Sequence, residues 1–100
     1  MTTSTALLTD RYELTMLAAA LRDGTASRPS VFELFSRRLS GGRRFGVVAG
    51  TGRLLSLLRE FRFGEDELRF LRDNDVVDAD SLAYLENYRF TGSIRGYREG

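Results

Sequence analysis

Ser30-Val31-Phe32-Glu33-Leu34-Phe35-Ser36-Arg37-Arg38, followed by Ser40-Gly41-Gly42 and then Phe45-Gly46-Val47-Val48-Ala49, is the stretch on which the fold class turns. Phe32 and Leu34 fall on one side of an extended chain, and Val31, Glu33, Phe35 and Arg37 on the other. Ser40-Gly41-Gly42 reads as a turn, which predicts an antiparallel hairpin between the two apolar runs. Phe90 to Tyr97 alternates in the same way and reads as a further strand. It runs almost to Gly100 with no partner strand behind it, so the chain reads as incomplete.

Around these strands the apolar spacing changes to that of helices. Asp10 and Glu13 have the separation of an N-cap and its reciprocal partner. Leu14, Leu17, Ala18 and Leu21 then form one stripe, and Gly24 is a natural stop. Gly50-Thr51-Gly52 opens a second helix with Thr51 as the expected cap and Leu54, Leu57, Leu58 and Phe61 as its apolar face. Glu65, Asp66 and Glu67 begin a third, with Arg69 and Arg72 near its end, as the helix dipole favours. Asp80 is the expected cap of a short fourth helix carrying Leu82, Leu85 and Tyr88. The expected fold class is therefore α+β over residues 1–100, with helices packed on a small, mainly antiparallel sheet.

Composition removes several classes of function. The 100 residues contain no cysteine and no histidine, so disulfides, ordinary zinc or copper sites and Ser-His or Cys-His pairs are excluded within them. No apolar stretch reaches the roughly 20 residues of a membrane helix, and the first residues lack the basic and apolar regions of a secretion signal. All fifteen basic residues are arginine. From Arg28 to Arg62 eight arginines face only Glu33 and Glu60, whereas from Phe63 to Tyr88 eight carboxylates face only Arg69 and Arg72. The first segment suits anions and the second does not.

Three features invite chemistry. Gly50-Thr51-Gly52 lacks the third glycine of a dinucleotide loop and the Gly-Lys-Ser/Thr of a Walker loop, so a tight turn into a helix accounts for it better. Arg37, Arg38, Arg43 and Arg44 have the charge for phosphates, but the nearby Phe32, Phe35 and Phe45 alternate as core residues do, which argues against a nucleic-acid surface. Arg37 stands apart, since strand alternation would give it a direction beside Glu33 and Phe35. Tyr12 lies about 200° from Leu14 around the first helix, off its apolar stripe.

Thr9-Asp10-Arg11-Tyr12-Glu13-Leu14-Thr15-Met16 resembles the opening motif of nicotinate phosphoribosyltransferases, Thr-Asp-x-Tyr-x-x-Thr-Met. The likeness continues through Val31 to Arg38, Ala49-Gly50, Phe61-Arg62-Phe63 and Tyr97 to Gly100, and covers nearly the whole chain. The resemblance implies an N-terminal α+β region that precedes an α/β barrel. It implies an enzyme that joins nicotinate to 5-phosphoribosyl 1-diphosphate with ATP hydrolysis, the first step of NAD salvage from nicotinic acid. ATP and Mg2+ are expected for such a full-length enzyme, with neither bound by this segment alone. A cytoplasmic homodimer with shared active sites is implied as well, without nucleic acid or membrane as partners.

By the same resemblance Tyr12 stacks on the pyridine ring in the neighbouring subunit's site, Asp10 lies near that ring, and Arg37 contacts phosphate groups of the sugar. These three are the expected substrate-binding residues. No catalytic or metal-binding residue is expected here, since the family's phosphorylated histidine has no counterpart in the chain. Ser36 departs from relatives that carry an aromatic at that place. Two alternatives stand beside this reading: a related enzyme acting on nicotinamide or quinolinate, and a stand-alone dimerisation or nucleic-acid-binding module.

Overall fold

A computed structural model of the chain describes residues 4–100. Four helices form, in the order α1 (Arg11–Asp23), α2 (Thr51–Glu60), α3 (Glu65–Asp73) and α4 (Ala79–Glu86). In α1 the capping box is made as expected, with the Glu13 carboxylate accepting from the Asp10 N–H at 3.3 Å. Gly24 closes the helix at φ +76°, a backbone state that a Cβ disfavours. The acidic first turn of α3, Glu65 to Glu67, and Arg72 in its last turn are also as expected.

Two caps differ from expectation. Asp78, rather than Asp80, caps α4, and its carboxylate accepts from the Ser81 N–H at 2.8 Å. The reason lies in Ser81 and Leu85, both buried, which set where the helix must begin. Gly50, rather than Thr51, is the N-cap of α2, at φ +89°.

The core lies among α1, α3, α4 and the turn before α3. Ala6, Leu14, Phe63, Leu71 and Leu85 are buried, with Leu17, Phe61, Leu68, Val76, Val77, Leu82 and Tyr84 packed against them. Both α1 and α3 rest on α4. Phe61 meets Phe63 and Tyr88 edge to face, with ring centroids 5.7 and 6.1 Å apart. The carboxylate of Glu67 is held below its usual range mainly by a hydrogen bond from the Ser4 hydroxyl, with help from backbone N–H groups and Arg62.

The expected sheet does not form. Among the described residues there is no strand, so the α+β assignment of helices on an antiparallel sheet gives way to four helices and extended segments. The turn itself is present: Gly41 and Gly42 both have positive φ, +64° and +73°, and the Arg43 N–H donates to the Ser40 carbonyl at 3.3 Å. The flanking runs do not pair across it. Val31 and Phe32 are 93% and 92% exposed and Leu34 is 100% exposed, so alternation here marks side chains that bury nothing within the chain. A strand is held by its ladder and by a covered face, and these residues supply neither.

The shape carries the same message. The radius of gyration is 16.3 Å, against about 13 Å for a compact domain of this length. The chain exposes 9190 Å², against roughly 5,700 Å² for a compact protein of its mass. Most of the excess belongs to residues 28–50 and 89–100, which hold few buried atoms.

Asp78 yields a prediction about pH. Ser81, whose side chain lies beside the Asp78 carboxylate and whose N–H donates to it at 2.8 Å, holds that carboxyl below the ordinary aspartate range. A depressed value in the folded state means that its contribution is fully present above the unfolded pKa, about 3.9. The contribution is lost as pH falls through the lower, folded value. The thermal midpoint of the chain, followed by circular dichroism, is expected to fall below about pH 4, and Asp78→Asn to flatten that part of the profile. An unaltered acid limb in the variant would assign the dependence to other carboxylates.

Candidate functional site

The start of α1 presents Asp10 and Tyr12 on the surface. Leu14 is buried against α4, and the helical rotation between positions 12 and 14 turns Tyr12 outward, where it is 60% exposed. Met16 lies one turn further on and is also exposed, so an apolar strip runs up the outer side of α1. The Thr9 hydroxyl donates to the Glu13 carboxylate, and the Thr15 hydroxyl donates to the Tyr12 carbonyl at 2.8 Å. These bonds, with the Asp10–Glu13 cap, fasten the turn that carries the two candidate residues.

Arg37 sits at a bend in the extended segment after Pro29 and is exposed. The direction expected from strand alternation is not imposed, because no ladder holds the segment. Its guanidinium forms no ion pair among the described residues, nor do those of Arg38, Arg43 and Arg44; the two ion pairs present are Arg69–Asp66 and Arg72–Asp73, both in α3. The structure brings Asp10 and Tyr12 together at one helix end and does not bring Arg37 into hydrogen-bond contact with either.

Two surface cavities lie elsewhere and contain none of these residues. One, of about 450 Å³, lies between α3 and α4 and is lined by Leu68, Arg69, Leu82 and Glu86 among others. The other, of about 440 Å³, lies between Ser4, Leu57, Phe61 and the start of α3. Tyr12 and Arg37 are thus a flat exposed aromatic and an unpaired guanidinium on open surface, and among the described residues no cavity wall joins them.

One feature was not legible in the sequence. The Glu99 carboxylate accepts from the Thr51 N–H at 2.7 Å, across 48 positions, and so supplies α2 with the anionic cap that Gly50 cannot. Beside it, Val48 and Gly100 exchange backbone hydrogen bonds, 2.9 Å from the Gly100 N–H and 3.4 Å from the Val48 N–H. Nothing in the residue type or spacing of Glu99 signals this contact. No helix among the described residues is long and apolar enough to cross a membrane.

Comparison with known proteins agrees with the motifs. Residues 7–100 match the family described as the nicotinate phosphoribosyltransferase N-terminal domain. Nicotinate phosphoribosyltransferase pncB1 of Mycobacterium tuberculosis (strain ATCC 25618 / H37Rv) is 60% identical over 94 residues, covering 94% of this chain and 20% of that protein. Its pncB2 counterpart in the same strain is 39% identical over 95 residues, covering 95% of this chain and 20% of that protein. The nicotinate phosphoribosyltransferase of Homo sapiens is 37% identical over 83 residues, covering 83% of this chain and 15% of that protein. The chain thus spans about a fifth or less of the length of these curated relatives. No solved structure matches it significantly. With the match running through nearly every residue, this chain belongs to the nicotinate phosphoribosyltransferase N-terminal domain family.

Proposed function

We propose that this chain is the N-terminal part of an enzyme that joins nicotinate to 5-phosphoribosyl 1-diphosphate, releasing diphosphate and forming nicotinate mononucleotide with ATP hydrolysis. What supports the reading most is the 60% identity over 94 residues with a protein of that name. The outward-facing Tyr12 and the unpaired Arg37 fit it. A phenol ring offers a flat π-face with few rotatable bonds on which a pyridine ring can stack. A guanidinium offers a planar, permanently charged fork for the phosphate groups of the sugar. Asp10, the N-cap of α1, is assigned by the family resemblance to the surroundings of the pyridine ring, where its carboxylate would help orient it.

The rest of the machinery belongs to other parts of the protein. ATP with Mg2+ supplies the energetic coupling in the full-length enzyme. The chain has no histidine, and no group of three or more metal-ligating side chains comes together among the described residues. On the family resemblance we assign the residues that hold ATP and Mg2+ to the barrel, and expect this segment by itself to be inactive. The family resemblance gives a cytoplasmic homodimer, and the exposed Tyr12 on the first turn of α1 suits a role in which one subunit completes the site of the other.

Assaying the full-length enzyme with nicotinate, nicotinamide and quinolinate side by side, in the presence of 5-phosphoribosyl 1-diphosphate and ATP, tests the reading. Nicotinate is expected to give the highest kcat/KM, and a preference for either of the others would overturn it. Arg37→Ala is expected to raise the KM for 5-phosphoribosyl 1-diphosphate by about 10- to 150-fold, as loss of a charged hydrogen bond of about 1.5–3 kcal/mol requires. The KM for nicotinate should move far less. Equal effects on both substrates would remove the phosphate role.

A further inference from the structure

Val48 and Gly100 exchange both of their backbone hydrogen bonds, which is the hydrogen-bonded pair of an antiparallel ladder. Among the described residues it is the one reciprocal pair between distant parts of the chain. Glu99, one residue before Gly100, accepts from the N–H of Thr51, three residues after Val48, and fastens the same two segments. Gly100 itself has φ +126°, a conformation open to glycine and strained for other residues. The reciprocal pair and the Glu99–Thr51 bond therefore fix the register of the two segments at Val48 and Gly100.

The edge so aligned is unpartnered beyond that point. Phe45 and Val47 are largely exposed, and Gly46 makes no backbone hydrogen bond that reaches a distant segment. We propose that Gly46 and Val48 are the bonding edge for the segment that follows Gly100 in the longer protein, paired antiparallel in the register that sets Val48 opposite Gly100. The inference rests on the reading of this chain as part of a longer enzyme, since its relatives are about five times its length. The occupant is that contiguous segment rather than a second copy. It leaves Gly100 already in register, and a tethered strand docks at an effective concentration that no separate chain matches.

Pairing in this sense makes definite neighbours. The next hydrogen-bonded pair joins Gly46 to the second residue after Gly100. Val47 then faces the first residue after Gly100 in a non-hydrogen-bonded pair, where Cα atoms approach to about 4.5 Å. That distance lies within the range that a disulfide spans.

The test uses the full-length enzyme carrying Val47→Cys together with a cysteine at the first position after Gly100. Oxidation is expected to give an intramolecular disulfide between these two as the major species, identified by mass spectrometry of the linked peptides. Gly46→Cys with the same second cysteine is expected to give none, because adjacent strand residues point to opposite faces. A cysteine is tolerated there, since a Cβ at Gly46 would meet only the Leu39 side chain at 3.9 Å. A crosslink from position 46, or from neither, overturns the register. Where the paired variant does not fold, amide exchange in the unmodified enzyme decides: slow exchange at both Gly46 and Val48 supports the ladder, and coil-like exchange at Gly46 refutes it. Nicotinate turnover by the same preparations separates the two ideas. Active enzyme without the crosslink loses the register alone, and crosslinked enzyme inert towards nicotinate loses the function alone.

Discussion

Tyr12→Ala in the full-length enzyme is expected to raise the KM for nicotinate by about 5- to 150-fold, the range that corresponds to roughly 1–3 kcal/mol for stacking an aromatic heterocycle on a side-chain ring. Two observations shape the expectation. The ring is 60% exposed, so its removal uncovers little apolar surface within the chain. Leu14 holds α1 against the core from the opposite side, and the Asp10–Glu13 cap does not use the phenol. The thermal midpoint of the variant should therefore stay within a degree or two of the parent, since exposed substitutions away from such features change stability by about 0.5 kcal/mol or less. Tyr12→Phe keeps the π-face and should keep a KM within a few-fold of the parent. A Tyr12→Ala enzyme with an unchanged nicotinate KM would end the stacking role, and one that fails through a lowered midpoint would make Tyr12 a packing residue instead.

The helical part of the fold could be read from residues because its signals are local. The Asp10–Glu13 box, Gly24, the acidic turn from Glu65 to Glu67 and the leucine stripe of α1 each act within one or two helical turns, and the structure keeps these. The stripe expected of α2 is not covered in the same way, since no residue of that helix is buried and Leu54 is exposed. The cap of α4 was harder. Asp78 and Asp80 are equally good caps by type, and only the burial of Ser81 and Leu85 selects between them. Strands were misread for a different reason. Alternation in Val31 to Arg38 and Phe90 to Tyr97 says that faces want covering, but not what covers them, and the described residues contain no ladder that does. The candidate site divides along the same line. Tyr12 could be aimed from helical rotation alone, whereas the direction of Arg37 depended on a sheet that is not there. Glu99 was invisible because its contact spans 48 positions.

Leu71→Ala is the substitution expected to cost the chain most in stability. Leu71 is 1% exposed, in the middle of the small core beneath α4. Its carbonyl also accepts from the Val76 N–H at 2.9 Å, which turns the chain out of α3 towards the Asp78 cap. Truncating such a leucine costs about 2–5 kcal/mol, through lost transfer energy and the cavity left behind. Domains with ample cores hold about 5–15 kcal/mol in reserve, and a chain with five buried apolar residues among those described belongs at the bottom of that range. Urea titration of the 100-residue chain, followed by helical circular dichroism, should therefore show Leu71→Ala largely unfolded before denaturant is added. Leu34→Ala is the matched control: the same atoms are deleted from a side chain that is 100% exposed, and the midpoint should not move. If both variants lose stability equally, Leu34 is covered in solution and the exposed segment packs against the core. If neither does, α3 and α4 are not the centre of the fold.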